Sequence, residues 1–157
     1  MLKLKDHTVR KMAEHAEQAF PEECCGIVLE GRGSEEVCRV ANIQAKLHRR
    51  DPNRYPRQAT TAYFMDPKEL AEIFVRGDSE GMRVKVIYHS HPDHEAYFSP
   101  EDRLNATAWD EPIYPSAFYV VLSVWNGVFK EAKAFGWDGD SGNFTEVPFS
   151  EENGGEL

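Results

Sequence analysis

Apolar and polar positions along the chain follow two periods, and the changes of period mark the predicted elements. Apolar side chains in residues 6–20 recur at spacings of three and four, which predicts an amphipathic helix that Pro21 ends. Residues 23–40 carry two short apolar runs around a glycine-containing turn, which predicts a β-hairpin. The first run is almost entirely apolar, so we expect its strand to lie inside a sheet.

The period disappears in residues 42–60, where two prolines accompany five lysines and arginines and a single acidic residue, Asp51. This composition predicts a long basic loop. Residues 61–65 then read as a short strand. A helix follows it, with Asp66 as the N-cap and Pro67 as the first helical residue.

Residues 83–90 are mostly apolar and β-branched, which predicts an interior strand. A third helix begins at Ser99, and residues 115–124 and 127–137 flank a turn as the strands of a second hairpin. The predicted order is helix, hairpin, strand, helix, strand, helix and hairpin. This order is typical of an α+β fold with a mixed β-sheet flanked by helices.

Composition narrows the possible partners and locations. The chain has 157 residues, enough for one domain, and 18 lysines and arginines against 27 aspartates and glutamates give a formal charge of −9. This balance disfavours nucleic acid and anionic membrane as partners. The sequence shows neither an apolar run of the roughly 18 residues that a membrane span needs nor a secretory leader pattern, so we expect a cytoplasmic protein.

Candidate ligands gather at the end of the strand predicted for residues 83–90. His89 and His91 are two residues apart, and the period of a strand points both imidazoles to one face. Two imidazoles so placed can meet on one metal ion, or they can be ordinary histidines at a strand end. A catalytic zinc ion typically has three protein ligands, so a third is needed, and Asp102 in the next helix is a candidate.

Ser99 and Asp102 also have a purely structural interpretation. In the run Ser99-Pro100-Glu101-Asp102, a serine N-cap is followed by proline and by an acid at the third helical position, which can close a capping box. Taken without the other residues, this pattern favours a role for Ser99 and Asp102 in capping the helix over a role in a metal site.

Taken together, these residues resemble the signature of the JAMM, or MPN-plus, zinc metallopeptidase family in its compact bacterial type. That signature is His-Ser/Thr-His-Pro, a gap, and Ser-x-x-Asp. Seven residues separate His91 from Ser99, and two separate Ser99 from Asp102, which matches the family pattern in type and spacing. The resemblance implies a single MPN-like domain with a curved sheet in residues 1–140. A C-terminal strand and a flexible acidic tail are expected in residues 141–157.

The family also has an upstream glutamate in the context Glu-x-x-Gly followed by apolar residues. Glu23 matches this context, with Gly26 three residues later and Glu22 as the off-register neighbour. An isolated glutamate at a strand start would otherwise be read as a solvated residue. The resemblance therefore makes Glu23 the expected catalytic base.

The resemblance also implies the remaining roles and the reaction. One Zn²⁺ per chain would be held by His89, His91 and Asp102, and Ser99 would donate to the oxyanion. The expected reaction is hydrolysis of a peptide or isopeptide bond after the diglycine tail of a ubiquitin-like or sulfur-carrier protein. The alternative is a non-catalytic MPN-type scaffold or protein-interaction module. Such scaffolds lack one or more ligands, whereas every motif position is filled here.

Two groups of residues outside the signature have weaker interpretations. Arg49, Arg50 and Arg54 are weak candidates for binding an acidic carrier or a terminal carboxylate, and a solvated basic loop is the simpler interpretation. His94, with its neighbours in the gap, matches no motif position. We therefore expect an exposed loop there, with His94 at the mouth of the site as the alternative.

Overall fold

A computed structural model describes residues 1–153, which form four helices and ten strands. In chain order these are β1 (Leu2–Lys5), α1 (Asp6–Ala19), β2 (Cys25–Gly31), β3 (Ser34–Val40), α2 (Gln44–Arg50), α3 (Pro67–Ser79), β4 (Arg83–Pro92), α4 (Pro100–Ala106), β5 (Thr107–Ala108), β6 (Glu111–Pro112), β7 (Phe118–Trp125), β8 (Val128–Asp138), β9 (Asn143–Val147) and β10 (Phe149–Glu152).

Six strands form one mixed sheet in the order β3-β2-β4-β7-β8-β9. Strands β4 and β7 run parallel, and the other neighbours in this sheet are antiparallel. The predicted α+β fold with a mixed sheet is therefore confirmed. Strand β4 lies between β2 and β7, so it is the interior strand that its apolar run predicted.

The sheet has one hydrophobic core on each face. Val86 and Tyr88 of β4 belong to the core that packs against α1, whereas Ile87 belongs to the core that packs against α3 and α4. Because side chains alternate along a strand, His89 and His91 follow Ile87 to the second face. The alternation of β4 thus carries both histidines under the start of α4.

Both predicted hairpins are present, and one glycine on β2 has a packing reason. The turn between β7 and β8 places Asn126 and Gly127 at φ values of 53° and 84°, as a tight two-residue hairpin turn requires. Gly26 is paired with Tyr88 of β4, and a Cβ atom at Gly26 would lie 2.4 Å from the Tyr88 ring. The tyrosine ring therefore occupies the space above the glycine.

The structure corrects two predictions between β3 and α3. Residues 44–50 are helix α2 and not loop, because the run Gln-Ala-Lys-Leu-His-Arg-Arg consists largely of good helix formers whose charges masked the pattern. Residues 61–65 are not a strand and contribute a single bridge between Asn42 and Met65. The Asn42 side chain instead forms hydrogen bonds with this segment, donating to the carbonyl of Ala62 and accepting from the amide of Phe64.

The two ends of the described chain are joined by a pairing that the sequence pattern did not predict. Strand β1 pairs in parallel with β10, outside the main sheet. Of the segment expected as C-terminal strand and acidic tail, residues 143–147 and 149–152 are strands, and residues 154–157 lie outside the described part. Within residues 1–153, none of the helices has the length and apolar character needed to cross a membrane.

Candidate metal centre

The end of β4 places two imidazoles together in the interior. His89 is paired with Cys25 of β2 and with Val121 of β7, so neighbouring strands hold its backbone on both sides. His89 and His91 are both buried, and their Nε2 atoms are 3.2 Å apart. Two ring nitrogens at this distance require a shared proton or a shared cation between them.

Asp102 joins the histidines from the first turn of α4. Its Oδ2 atom lies 3.2 Å from His89 Nε2 and 3.4 Å from His91 Nε2. The same carboxylate accepts a hydrogen bond from the Ser99 amide (2.9 Å), and the Ser99 hydroxyl accepts one from the Asp102 amide (3.0 Å). Asp102 is thus both a member of the capping box and a candidate ligand, because the hydrogen bonds of the cap fix the carboxylate that faces the histidines.

The charges of this cluster favour an ionised carboxylate. Burial alone would raise the pKa of Asp102, but the neighbouring His89, the contacts with both imidazoles and the hydrogen bond from the Ser99 amide hold it well below its usual range. Burial would lower the pKa of His89, and the negative charge of Asp102 overcomes that effect and raises it. The buried cluster therefore stabilises a positive charge next to the Asp102 carboxylate.

The donor atoms fit a tetrahedral metal ion. His89, His91 and Asp102 form a buried group that could hold a metal, with donor separations of 3.2, 3.2 and 3.4 Å. Zinc bonds of about 2.0–2.1 Å in tetrahedral geometry place neighbouring ligand atoms roughly 3.3 Å apart. Two imidazoles and one carboxylate are a ligand set that zinc accepts readily, and three protein ligands leave one tetrahedral position open.

The tautomer of His91 agrees with metal binding. Its Nδ1 atom lies 2.9 Å from the carbonyl oxygen of Glu95 and must donate, because a carbonyl has no proton. Nε2 of the neutral ring then carries the lone pair that a metal requires. The His89 ring stacks on Tyr63 at 4.6 Å between centroids, and its Nδ1 has no hydrogen-bond partner among the described residues.

Glu23 lies beside these residues at the entrance to β2. Its amide donates to the Ala59 carbonyl (2.8 Å), and its carbonyl accepts from the Asn42 side chain (2.9 Å), so its backbone is held on both sides. The side chain is buried, and this burial raises the pKa of Glu23 from 4.5 to about 7, against the opposing influence of His89 and His91. A carboxyl group that titrates near neutral pH is suited to exchanging protons with a reacting molecule.

Ser90 connects the strand of the histidines to the strand of Glu23. It lies between His89 and His91 in sequence and therefore points to the opposite face of the sheet. There its hydroxyl accepts a hydrogen bond from the Cys24 amide (2.8 Å), while the Ser90 amide donates to the Cys24 carbonyl (3.1 Å). This exchange fixes the residue next to Glu23 relative to both imidazoles.

A cleft of about 190 Å³ opens onto the site. Its lining residues come from the segment just before β2, the segment before α3, the end of β4 with the loop after it, and the start of α4: Glu23, Arg57, Thr60, Thr61, Ala62, Tyr63, His91, His94, Tyr97, Ser99, Glu101 and Asp102. The cleft therefore collects the candidate ligands His91 and Asp102, the carboxyl group of Glu23 and the hydroxyl group of Ser99 in one accessible space.

Of the basic residues and histidines outside the family signature, some line the cleft and others do not. Arg49 and Arg50 end α2, Arg54 follows on an exposed turn, and none of them is among the described residues that line the cleft. Arg57 does line it, although its charge could not be distinguished in sequence from the other basic residues of its segment. His94 is exposed and lines the cleft, which agrees with both interpretations of that residue.

Comparison with known families gives one match over most of the chain. The profile of the Prok-JAB family, described as prokaryotic homologs of the JAB domain, matches residues 5–136. This range includes every residue of the candidate site, strands β2, β3, β4 and β7 of the main sheet, and most of β8.

Individual relatives agree with this match. The chain is 28% identical over 123 residues to proteins named CysO-cysteine peptidase from Mycobacterium bovis and Mycobacterium tuberculosis, covering 78% of this chain and 73% of theirs. A solution structure from Desulfitobacterium hafniense is similar with a TM-score of 0.69 and 25% identity, covering 98% of this chain and 95% of that one. A JAB1/MPN domain protein from Archaeoglobus fulgidus shares the fold with a TM-score of 0.51 and 14% identity, covering 96% of this chain and 100% of that one.

Proposed function

The chain belongs to the family of prokaryotic homologs of the JAB domain, the compact bacterial JAMM/MPN type, and from that membership we propose that it is a zinc-dependent peptidase. The proposed reaction is hydrolysis of the bond that follows the diglycine tail of a ubiquitin-like or sulfur-carrier protein. The names of the mycobacterial relatives, CysO-cysteine peptidase, favour a bond to a single cysteine residue over an isopeptide bond to a protein lysine.

One observation carries this proposal, namely that a possible metal site and a proton acceptor share one cleft. His89, His91 and Asp102 present three donor atoms at tetrahedral spacing, and the buried carboxyl group of Glu23 lines the same cleft. A scaffold with no catalytic role would gain nothing from burying a carboxyl group that is costly to ionise there. The arrangement therefore favours catalysis over the scaffold alternative.

Glu23 is the proposed acid–base residue. A zinc ion in this ligand set would supply Lewis acidity toward a water molecule and toward the substrate carbonyl. The Glu23 carboxylate takes a proton from the attacking water and delivers it to the nitrogen of the leaving amine. Burial raises the pKa of Glu23 to about 7 in the metal-free protein, and a bound cation would favour the carboxylate form that accepts the proton.

Ser99 is the proposed oxyanion donor. Its hydroxyl oxygen already accepts a hydrogen bond from the Asp102 amide, so the hydroxyl proton remains available to donate. Ser99 also lines the cleft, where that proton can meet the oxygen of the scissile carbonyl as negative charge develops. Loss of one oxyanion donor typically lowers kcat about a hundredfold to a thousandfold.

The experiment that tests the proposal separates metal binding from turnover. The substrate is a sulfur-carrier protein extended by one residue beyond its diglycine, and its mass reports cleavage. Zinc content and cleavage are measured for the wild type, Glu23→Gln and His91→Ala. We expect Glu23→Gln to keep zinc and lose turnover, because it removes the base and not a ligand, and His91→Ala to lose zinc and turnover together.

The matched control is Glu22→Gln, since Glu22 is the exposed neighbour of Glu23. It should keep both zinc and turnover. Full activity in Glu23→Gln or in His91→Ala would remove the mechanism.

Recognition of the carrier would involve the basic segment around α2. Arg49, Arg50 and Arg54 are exposed and lie in an otherwise acidic protein, so they are suited to attract an acidic carrier at long range. Neutralising all three should weaken the dependence of cleavage on ionic strength. An unchanged salt dependence would show that these residues play no part in recognition.

A further inference from the structure

Arg57 and Glu101 face each other across the mouth of the cleft. Arg57 belongs to the segment before α3 and Glu101 to the first turn of α4, and their charged groups are 3.7 Å apart. Both side chains are about half exposed, at 46% and 51%. An ion pair with this exposure contributes little to stability and exchanges partners readily.

Among the described residues that line the cleft, one arginine is available to bind an acidic ligand. Three carboxyl groups line the cleft, those of Glu23, Glu101 and Asp102, and Arg57 is the one lysine or arginine among the described lining residues. The Arg57 guanidinium also donates to the Thr61 carbonyl (3.1 Å), which directs the side chain along the wall of the cleft. Arg57 is close enough to Glu23 for its charge to lower the pKa of that carboxyl group.

We propose that Arg57 binds the free terminal carboxylate of the residue that leaves, so that the site removes one C-terminal residue and disfavours longer extensions. This inference rests on the proposed peptidase function. The substrate carboxylate replaces Glu101 as the partner of Arg57, and a guanidinium can bind it through two parallel hydrogen bonds.

The size of the cleft agrees with a short leaving group. A volume of about 190 Å³ is below the roughly 300–1,000 Å³ of clefts that enclose drug-sized ligands, so it holds little more than one residue. The carboxylate of a single leaving residue lies within roughly 4 Å of the scissile nitrogen. A cation that recognises it must therefore line the same small cleft as the reacting groups, as Arg57 does.

Hydrolysis then balances without a further reactant. The scissile C–N bond breaks, the water hydroxyl joins the glycine carbonyl carbon, and the proton taken by Glu23 passes to the departing nitrogen. The products are the carrier with its diglycine carboxylate and one free amino acid, whose own carboxylate stays on Arg57 until release.

Binding to a protein that cannot turn over tests the proposal directly. The probes are two peptides that end in Gly-Gly-Ser, one with a free carboxylate and one with a carboxamide. Serine replaces cysteine so that no thiol competes for zinc. Calorimetry on zinc-loaded Glu23→Gln should give a Kd about tenfold lower for the carboxylate peptide, and adding Arg57→Gln should abolish that difference.

Two further variants on the same Glu23→Gln background sharpen the result. Glu101→Gln should increase the preference for the carboxylate, because it removes the competing partner of Arg57. Arg10→Gln, which removes a positive charge from α1 on the opposite face of the sheet, should leave the preference unchanged. If Arg57→Gln does not fold, the carboxamide comparison and Glu101→Gln still decide the question.

Equal affinities for the two peptides, no binding of either, or a preference that survives in Arg57→Gln would overturn the assignment of Arg57. The proposed function is read from a different measurement, the cleavage of the extended carrier by the wild-type protein. A protein that distinguishes the peptides without cleaving the carrier would contradict the peptidase and leave Arg57 as a carboxylate-binding residue.

Discussion

Replacing Glu23 with glutamine should stabilise the metal-free protein at alkaline pH. Burial raises the pKa of Glu23 from 4.5 to about 7, so the folded protein resists its ionisation whereas the unfolded chain does not. One pKa unit corresponds to about 1.4 kcal/mol. Holding this carboxylate ionised in the folded state therefore costs about 3 kcal/mol of unfolding free energy, and glutamine avoids that cost.

The sign of the effect follows from the number of bound protons. Between pH 4.5 and 7 the folded protein keeps the Glu23 proton and the unfolded chain loses it, so the stability contributed by this residue falls as pH rises. The gain of Glu23→Gln over wild type should be under about 1 kcal/mol at pH 5 and reach about 3 kcal/mol above pH 8.

Urea unfolding of both proteins, made metal-free with a chelator, measures this difference at pH values from 5 to 8.5. The two proteins share the pair formed by His89 and Asp102, so its titration cancels in the subtraction except for the part that the Glu23 charge contributes to the pKa of His89. Glu22→Gln is the control, because Glu22 is exposed and its replacement should leave the pH dependence as in wild type.

A gain that stays constant or shrinks as pH rises would refute the reasoning, since it would mean that Glu23 ionises in its site without penalty. Zinc supplies a second arm of the experiment. A nearby divalent cation favours the carboxylate, so saturating zinc should reduce the pH dependence of the difference between the two proteins.

Three further perturbations have expected outcomes. Gly26→Ala should destabilise the protein by about 1–3 kcal/mol in urea unfolding, because its Cβ would lie 2.4 Å from the buried Tyr88 ring. Ser90→Ala should destabilise by about 1–3 kcal/mol and lower kcat while keeping zinc, because it leaves the buried Cys24 amide without its acceptor. Zinc at a hundred times its Kd should raise the unfolding free energy of the metal-free protein by about 2.7 kcal/mol.

Each of these outcomes can be contradicted by one result. A wild-type stability in Gly26→Ala would show that the Tyr88 ring can move aside. An unchanged kcat in Ser90→Ala would limit that serine to a role in stability, and Ser90→Thr, which keeps the hydroxyl, is the matched comparison. No stabilisation by zinc in wild type, with His91→Ala as the reference, would argue against a metal site in the cleft.

Sequence periodicity predicted the elements best where packing follows local pattern. The apolar run of β4 and the Asn126-Gly127 turn identified an interior strand and a hairpin that the structure contains. The pattern failed in α2, where basic side chains hid good helix formers, and in residues 61–65. There an asparagine side chain supplies hydrogen bonds that a neighbouring strand would otherwise provide.

The sequence by itself predicted two local relations at the site, and the family resemblance, not geometry, implied that His89, His91 and Asp102 hold one metal ion. The period of a strand sends His89 and His91 to one face, and a capping box orients the Asp102 carboxylate within one turn of helix. Neither relation depends on the rest of the fold.

Only the tertiary structure decided what surrounds them. Three features arise between segments that are distant in sequence. They are the burial that raises the pKa of Glu23, the hydrogen bond from the Cys24 amide to the Ser90 hydroxyl, and the position of Arg57, unlike its basic neighbours, in the cleft. Burial and charge depend on which segments meet in space, and no local period encodes that meeting.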